Sequence, residues 1–470
     1  MSKKSKYSDL SKNTLLFTIS NFGTKIIMFL IVPLYTYVLS TNDYGNLDLV
    51  STTVQLLVPL LTLNMQDAVL RFCLDKVYNP SQVVKVGIKV TSIASVILCG
   101  VLFLIYKIHL FELGAMYFFF LYFSFVTHSF YNIFSMYLKA VNRVRLLVIC
   151  GLLNTIVTCL LNVILLLVVK IGVLGYCIAN IAGIFICLII MLFGSDLLKS
   201  LKVDVPRGLF KDMLSFCLPL IASSVAWWVN NASDRYILAF FCGAAVNGIY
   251  SVAYKIPTIL STVQTIFYNA WSISAIKEFD KDDSDGFIGN IYTVYSCVSI
   301  LGCSFIMLFN VLIAKVLYAK DFFAAWQYVP PLLFGTVFNG IALFEGCIFT
   351  AVKKTKSVSI TTIFGSVVNT ILNFALIPFI GALGAAIATM FGYFTIWIIR
   401  TVKLRNIICM KVNWKEQIVS VSILFIQLIV AILFKNSFLQ IPFVILVLIG
   451  QRKYLSQTLN VAFKKIKAKH

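Results

Sequence analysis

Charged residues are scarce in this 470-residue chain. Asp, Glu, Lys and Arg make up 12% of it, about half of the roughly 25% found in a soluble domain. So few charges exclude a soluble fold, because much of a folded surface must face water without clumping. Acids are the scarcer sign, 18 Asp and Glu against 39 Lys and Arg, for a formal net charge of +21. The 12 cysteines form no CxxC pair, and Cys99, Cys159, Cys187 and Cys303 lie singly in apolar runs, where they read as small packing residues. No Walker loop, no HExxH and no Cys/His cluster at ligand spacing occurs. ATP hydrolysis and a metal site are therefore not expected, nor is any cofactor.

Apolar residues fill the space the charges leave. They reach 60% of the chain, with a mean hydropathy of +0.94, so the solvent for most residues is lipid. The pattern is runs of about 18 to 25 apolar residues, not ten-residue alternation, so an all-α polytopic membrane protein is expected and not a barrel. About fourteen transmembrane helices are predicted, at 13–39, 47–66, 86–106, 115–138, 146–169, 173–193, 214–242, 247–274, 289–313, 326–352, 357–379, 382–402, 417–434 and 436–451. The first run is too long for a signal-peptide core and reads as a retained helix.

Loop charge orients these spans. With the N-terminus inside, 31 of the 39 basic residues fall in inside segments, including Arg71, Arg143, Lys353 and Arg400. Five fall outside (Lys107, Lys170, Lys315, Lys320 and Lys435) and three within helices. The positive-inside rule then puts both termini in the cytoplasm. It also accounts for the net positive charge without nucleic acid as a partner. Outside loops such as 40–46, 171–172, 243–246 and 380–381 are too short to form a domain. The tail 454–470 is basic and weakly amphipathic, suited to lie on anionic membrane lipids or to remain solvated.

The chain repeats itself at a period of about 205 to 211 residues. Gly172, Leu174, Gly175, Ile178, Ala179 and Gly183 match Gly381, Leu383, Gly384, Ile387, Ala388 and Gly392. Leu161-Asn162 match Leu372-Asn373, and the run from Ala140 to Arg145 matches that from Ala351 to Lys356. An even number of helices per copy gives two pseudo-symmetric six-helix lobes that enter the membrane from one side, a layout suited to rocking around a central cleft. The expected organisation is an N-terminal lobe at 1–200, a C-terminal lobe at 201–410, two further helices at 411–451 and a basic cytoplasmic tail at 452–470.

Ionisable groups inside lipid cost several kcal/mol and usually face a cavity or a partner. Lys25, Arg235 and Lys255 are the basic candidates; with only two deep acids against them, the surplus favours an anionic ligand. Asp234 and Glu345 are candidates for coupling or charge pairing, Asp234 with Lys255 as one possible bridge. His128 is either a packed histidine or a proton relay. Trp227-Trp228 read as packing or as a sugar-stacking pair, and Asp67 is expected to pair with Arg71 at i, i+4.

Three segments carry a family likeness: PLYTYVLSTNDYG at 33–45; Asp234-Arg235-Tyr-Ile-Leu238 followed by Gly248 to Pro257; and Leu372 to Pro378 leading into Gly381 to Thr389. In this order they resemble the Wzx-like oligosaccharide-lipid flippases and polysaccharide export proteins of the multidrug/oligosaccharidyl-lipid/polysaccharide superfamily. The resemblance implies a MATE-like fold in a bacterial inner membrane and a cationic central cavity with a lateral gate for lipid. It implies flipping of undecaprenyl-pyrophosphate-linked oligosaccharide units, with a polysaccharide polymerase and chain-length machinery as partners. Lys25, Arg235 and Lys255 would then meet pyrophosphate or acidic sugars. Peptidoglycan-lipid flippases of the superfamily have several arginines in the first two helices, where this chain has only Lys25. A drug/cation antiporter of the same fold is the alternative, and a membrane polysaccharide polymerase or ligase, which would want a large outside loop, a further one.

Overall fold

The computed structural model describes residues 23–75, 77–108 and 114–452. The basic residues before Asn13 and the tail 454–470 lie outside these. The described residues are helical, joined by short turns, with no strand among them. The chain forms two compact units, Met1–Ala232 and Ser233–His470.

Among the described residues nine helices are long and apolar enough to cross a membrane, or ten if the bent pair Thr41–Leu61 and Met65–Leu74 counts as one span. That is fewer than the fourteen expected. One reason is that Thr355–Leu404 counts once although Gly381 (φ 55°, ψ −134°) divides it, between the expected spans 357–379 and 382–402. Another is that Gly23–Val38 and Ser437–Arg452 are shorter apolar helices. The protein is a multi-pass membrane protein.

In the first unit, Ser40 starts helix Thr41–Leu61 by accepting the Asp43 amide at 3.1 Å while its hydroxyl donates to the Asp43 carboxylate at 2.6 Å. Tyr117 donates to the same carboxylate at 3.0 Å and so ties the start of helix Ala115–Ala140 to that cap. Helix Ala115–Ala140 is the hub, packing on Thr41–Leu61, Met65–Leu74, Pro80–Lys107 and Gly172–Phe193. Its inner face joins a core of Val69, Val83, Ile133, Leu138 and Met191. Two of the cysteines help fill this core: Cys187 donates its thiol to the Cys150 carbonyl at 3.0 Å, and both are fully buried. Cys99, by contrast, is exposed on its helix. Arg71 turns to Asp75 at 2.7 Å rather than to Asp67, which instead accepts from the Asn64 amide at 2.6 Å.

In the second unit the hub is Val329–Ala351, packed on Pro257–Lys277, Phe287–Leu317, Thr355–Leu404 and Trp414–Leu433. Trp271 stacks on Phe344 at 4.2 Å between ring centroids, and Ser304 and Gln427 bond reciprocally at 2.7 and 3.1 Å.

The internal repeat recurs as local geometry. Asn142 and Lys353, matched in sequence, both take φ 60°. The next amides, Arg143 and Lys354, each reach back five residues at 2.8 Å, to Leu138 and Phe349. This is the same left-handed helix ending in each unit. Gly172 and Gly381, also matched, take φ 54° and 55°, a region open to glycine without a Cβ penalty. Close approaches repeat as well: a Cβ on Gly183 would overlap the Thr158 hydroxyl, and one on Gly392 would press on Asn369 at 2.9 Å.

Candidate functional site

Two buried polar clusters lie in the second unit. Helix Leu209–Ala253 carries Asp234, Arg235 and Tyr250, and it stops at a turn over 254–256 before Pro257 begins the next helix. Pro257 lacks the amide that would continue the ladder, so the chain breaks there. Asp234 is 4% exposed. Its Oδ2 accepts from the hydroxyls of Tyr250 at 2.7 Å and Tyr254 at 3.0 Å, and these hydroxyls lie 3.1 Å apart. The Arg235 guanidinium stands 5.5 Å from the centre of the Tyr254 ring, within cation–π range. A buried carboxylate away from water must be met by donors, and here two phenols meet it rather than a Lys255 bridge. Lys255 is half-buried in the turn itself, its amide bonded to the Val252 carbonyl at 2.9 Å.

An amide network continues from this cluster. Thr389 lies beside the Tyr250 hydroxyl. Asn369 donates to Thr389 at 3.3 Å, and the fully buried Asn373 donates to Asn369 at 3.0 Å.

The second cluster joins Glu345 and Arg400. Glu345 is fully buried and accepts from the Thr401 hydroxyl at 2.7 Å. Arg400, expected in an inside loop, sits within helix Thr355–Leu404 and is 4% exposed. Its guanidinium donates to the Thr361 and Thr362 hydroxyls, each at 3.0 Å, and to the carbonyls of Ala342 and Val358. Glu345 and Arg400 make no direct ion pair among the described residues. The helix runs four residues past Arg400, so this basic residue, counted with the inside segments, lies within the span instead.

The remaining candidates stand apart. Lys25 is exposed on helix Gly23–Val38 in the first unit, whereas Arg235 and Lys255 belong to the second. His128 joins neither cluster and lines a separate cavity in the first unit. Tyr250, Tyr254, Asn369, Asn373 and Arg400 were not anticipated. The two i, i+4 pairs, Tyr250 with Tyr254 and Asn369 with Asn373, carry a readable signal, since each sets polar groups on one face of an apolar helix. Among the described residues no three His, Cys, Asp or Glu side chains gather as around a metal ion.

The chain is 25% identical over 208 residues to an uncharacterized membrane protein of Methanocaldococcus jannaschii; the match covers 42% of this chain and 40% of that relative. The fold matches the lipid II flippase MurJ in its inward closed conformation at a TM-score of 0.70 and 17% identity, covering 95% of this chain and 100% of that one. It matches an inward-facing multidrug resistance MATE family transporter of the MOP superfamily at 0.63 and 14% identity, covering 81% and 94%. At such identities the likeness is one of fold. Residues 10–272, more than half of the chain, match the family described as polysaccharide biosynthesis protein, and to that family, with its MATE-like helical fold, this chain belongs.

Proposed function

We propose that the chain is a flippase that moves undecaprenyl-pyrophosphate-linked oligosaccharide repeat units from the cytoplasmic to the outer leaflet of a bacterial inner membrane. The units would serve assembly of O-antigen, capsule or exopolysaccharide. The observation that carries this reading is the polysaccharide biosynthesis family match over 10–272 in a chain whose fold is shared, over 95% of its length, with a lipid flippase. Loop charge favours cytoplasmic termini, and the repeated lobes suit alternating access. In this reading Lys25, Arg235 and Lys255 meet the pyrophosphate, whose charge offsets theirs. Asp234 and Glu345 are the carboxylates through which a proton or sodium gradient would act, with His128 as a further candidate. A polysaccharide polymerase and chain-length machinery would take up the product.

Reconstitution tests the proposal. Sealed liposomes holding the full chain and labelled undecaprenyl-pyrophosphate oligosaccharide should move label between leaflets. An unchanged distribution, with and without a proton or sodium gradient, sinks it. A second reading, drug/cation antiport, is favoured by the buried Asp234 carboxylate, since a cation could take the place of the phenols. Gradient-driven efflux of a cationic dye from everted vesicles, without lipid movement, would select it.

A further inference from the structure

The helix that begins at Thr41 breaks in the first unit, and the break is braced. Leu63 and Asn64 take φ 52° and 53°, and the helices on either side, Thr41–Leu61 and Met65–Leu74, bend by 52°. Left-handed backbone at a residue such as Leu63 costs of order 1–3 kcal/mol and persists where the surroundings over-determine it. They do so here. The Asn64 carbonyl accepts the Cys217 thiol at 3.4 Å, its amide bonds to the Pro59 carbonyl at 2.8 Å, and its buried side chain grips Asp67 at 2.6 Å. Irregular backbone within a membrane bundle is tolerated where it is buried in protein or lines a cavity.

The break opens on a cavity of about 530 Å³, within the roughly 300–1,000 Å³ of small-ligand sites. Gln55, Gln66, Asp67, His128, Asn132 and Trp227 line it, together with Ser223, Ser224 and the apolar Val54, Val58, Pro59 and Leu220. Among the described residues no Lys or Arg does, so a phosphate meets no counter-charge from them there. Among the described residues the one carboxylate is Asp67, already held by Asn64. The side chains of Gln55 and Asn132 make no hydrogen bond to another described residue, so each offers a donor and an acceptor to an occupant. Nδ1 of His128 lies 2.9 Å from the Ser124 carbonyl. A carbonyl needs a donor, so the neutral ring carries its proton on Nδ1 and presents Nε2 as an acceptor.

The tryptophan pair divides at this wall. Trp228 is anchored, its indole N–H donating to the Thr52 carbonyl at 2.8 Å. Trp227, about 100° round the helix from it, is 61% exposed and lines the cavity. Amides, a carboxylate, an imidazole acceptor and hydroxyls beside an indole face, with no cation, complement a ligand rich in hydroxyls on its edges and C–H bonds on its face. That ligand is an uncharged saccharide.

We propose that this cavity is a saccharide-binding subsite, in which Gln55, Asp67, His128 and Asn132 hydrogen-bond sugar hydroxyls and Trp227 stacks on a sugar ring. The identity of the saccharide as the head of a lipid-linked unit rests on the flippase reading above. The cavity then selects the sugar, and the basic residues, none of which line it, take the phosphate.

The test uses the full chain in nanodiscs of phosphatidylethanolamine and phosphatidylglycerol. Three probes are compared by native mass spectrometry: a polyprenyl diphosphate carrying an N-acetylhexosamine disaccharide, the same lipid without sugar, and the soluble disaccharide. The wild type should bind the glycosylated lipid about tenfold tighter than the bare one, the scale of one or two lost hydrogen bonds. Trp227→Ala, and separately Gln55→Ala with Asn132→Ala, should bring that ratio near one at unchanged bare-lipid affinity, while Trp227→Phe keeps most of it. A wild-type ratio in the alanine variants, or equal loss for both lipids, overturns the subsite and leaves the flippase reading standing. Failure of the wild type to bind either lipid overturns the flippase reading, and the soluble disaccharide then decides the cavity. Binding abolished by Trp227→Ala upholds the subsite; no binding overturns it.

Discussion

The hydroxyl of Tyr250 donates to the carboxylate of Asp234 at 2.7 Å, and Tyr254, one helical turn on, donates to the same oxygen at 3.0 Å. Hydrogen bonds to a charged acceptor contribute about 1.5–3 kcal/mol each. Tyr250→Phe should therefore lower the thermal unfolding midpoint in detergent by several degrees, and Tyr250→Phe with Tyr254→Phe by more. Asp234→Asn should cost less, because an amide oxygen still accepts a phenol. A Tyr250→Phe midpoint equal to wild type would mean that something else satisfies the carboxylate.

Arg400 makes four bonds from one buried guanidinium, binding helix Val329–Ala351 through the Ala342 carbonyl to its own helix through Thr361, Thr362 and Val358. Arg400→Leu strips these and leaves Glu345 without the nearby positive charge. Hydrogen bonds from a charged group contribute about 1.5–3 kcal/mol each, so low expression or a large fall in midpoint is expected. Adding Glu345→Gln should recover part of the loss, as coupled neighbours do not add. Strict additivity would show that the two charges do not sense each other.

These two clusters mark where a sequence reading stops. Apolar runs foresee two backbone breaks: Gly243 and Gly381, where the backbone leaves the helical region, fall between the spans expected to end at 242 and 379 and their successors. Pro257 likewise announces a kink. The break at Leu63 and Asn64 has no such marker, and one of its braces, Cys217, lies more than 150 residues away. Asp234 was visible as a charge in lipid, but its partner Tyr250 lies 16 residues on, beyond the turn at Gly243. Arg400 was misplaced because a basic residue near a span end looks the same whether it snorkels to water or finds hydroxyls inside.

Outside the spans, Asp196 stands 3.0 Å from Lys199 and 3.3 Å from Arg143. The Lys199 hydrogen bond and charge, with Arg143 behind them, hold its carboxyl below the usual carboxylate range. A depressed folded pKa stabilises above the unfolded value of about 3.9 and loses that stabilisation as pH falls through the lower folded value. Asp196 is half exposed, so the effect is small. Asp196→Asn should unfold at a slightly lower temperature than wild type at pH 7, with the gap closing below about pH 4. A gap that stays constant as the pH is lowered from 7 to well below 4 would assign the difference to something other than ionisation.

Arg235 and Lys255 test whether charge or shape meets the proposed cargo. If a diphosphate is the ligand, positive charge is the requirement, and Arg and Lys differ mainly in geometry. Arg235→Ala with Lys255→Ala should then cut surface polysaccharide at least about tenfold, the scale of losing charge-assisted hydrogen bonds. Arg235→Lys with Lys255→Arg should retain a substantial part. Arg235 also stands over the Tyr254 ring, so its loss could act through the Asp234 cluster instead. The unfolding midpoint separates the two: a wild-type midpoint with lost export points to the cargo, a lowered one to the cluster. Full export by the doubly alanine-substituted chain would remove both residues from the mechanism.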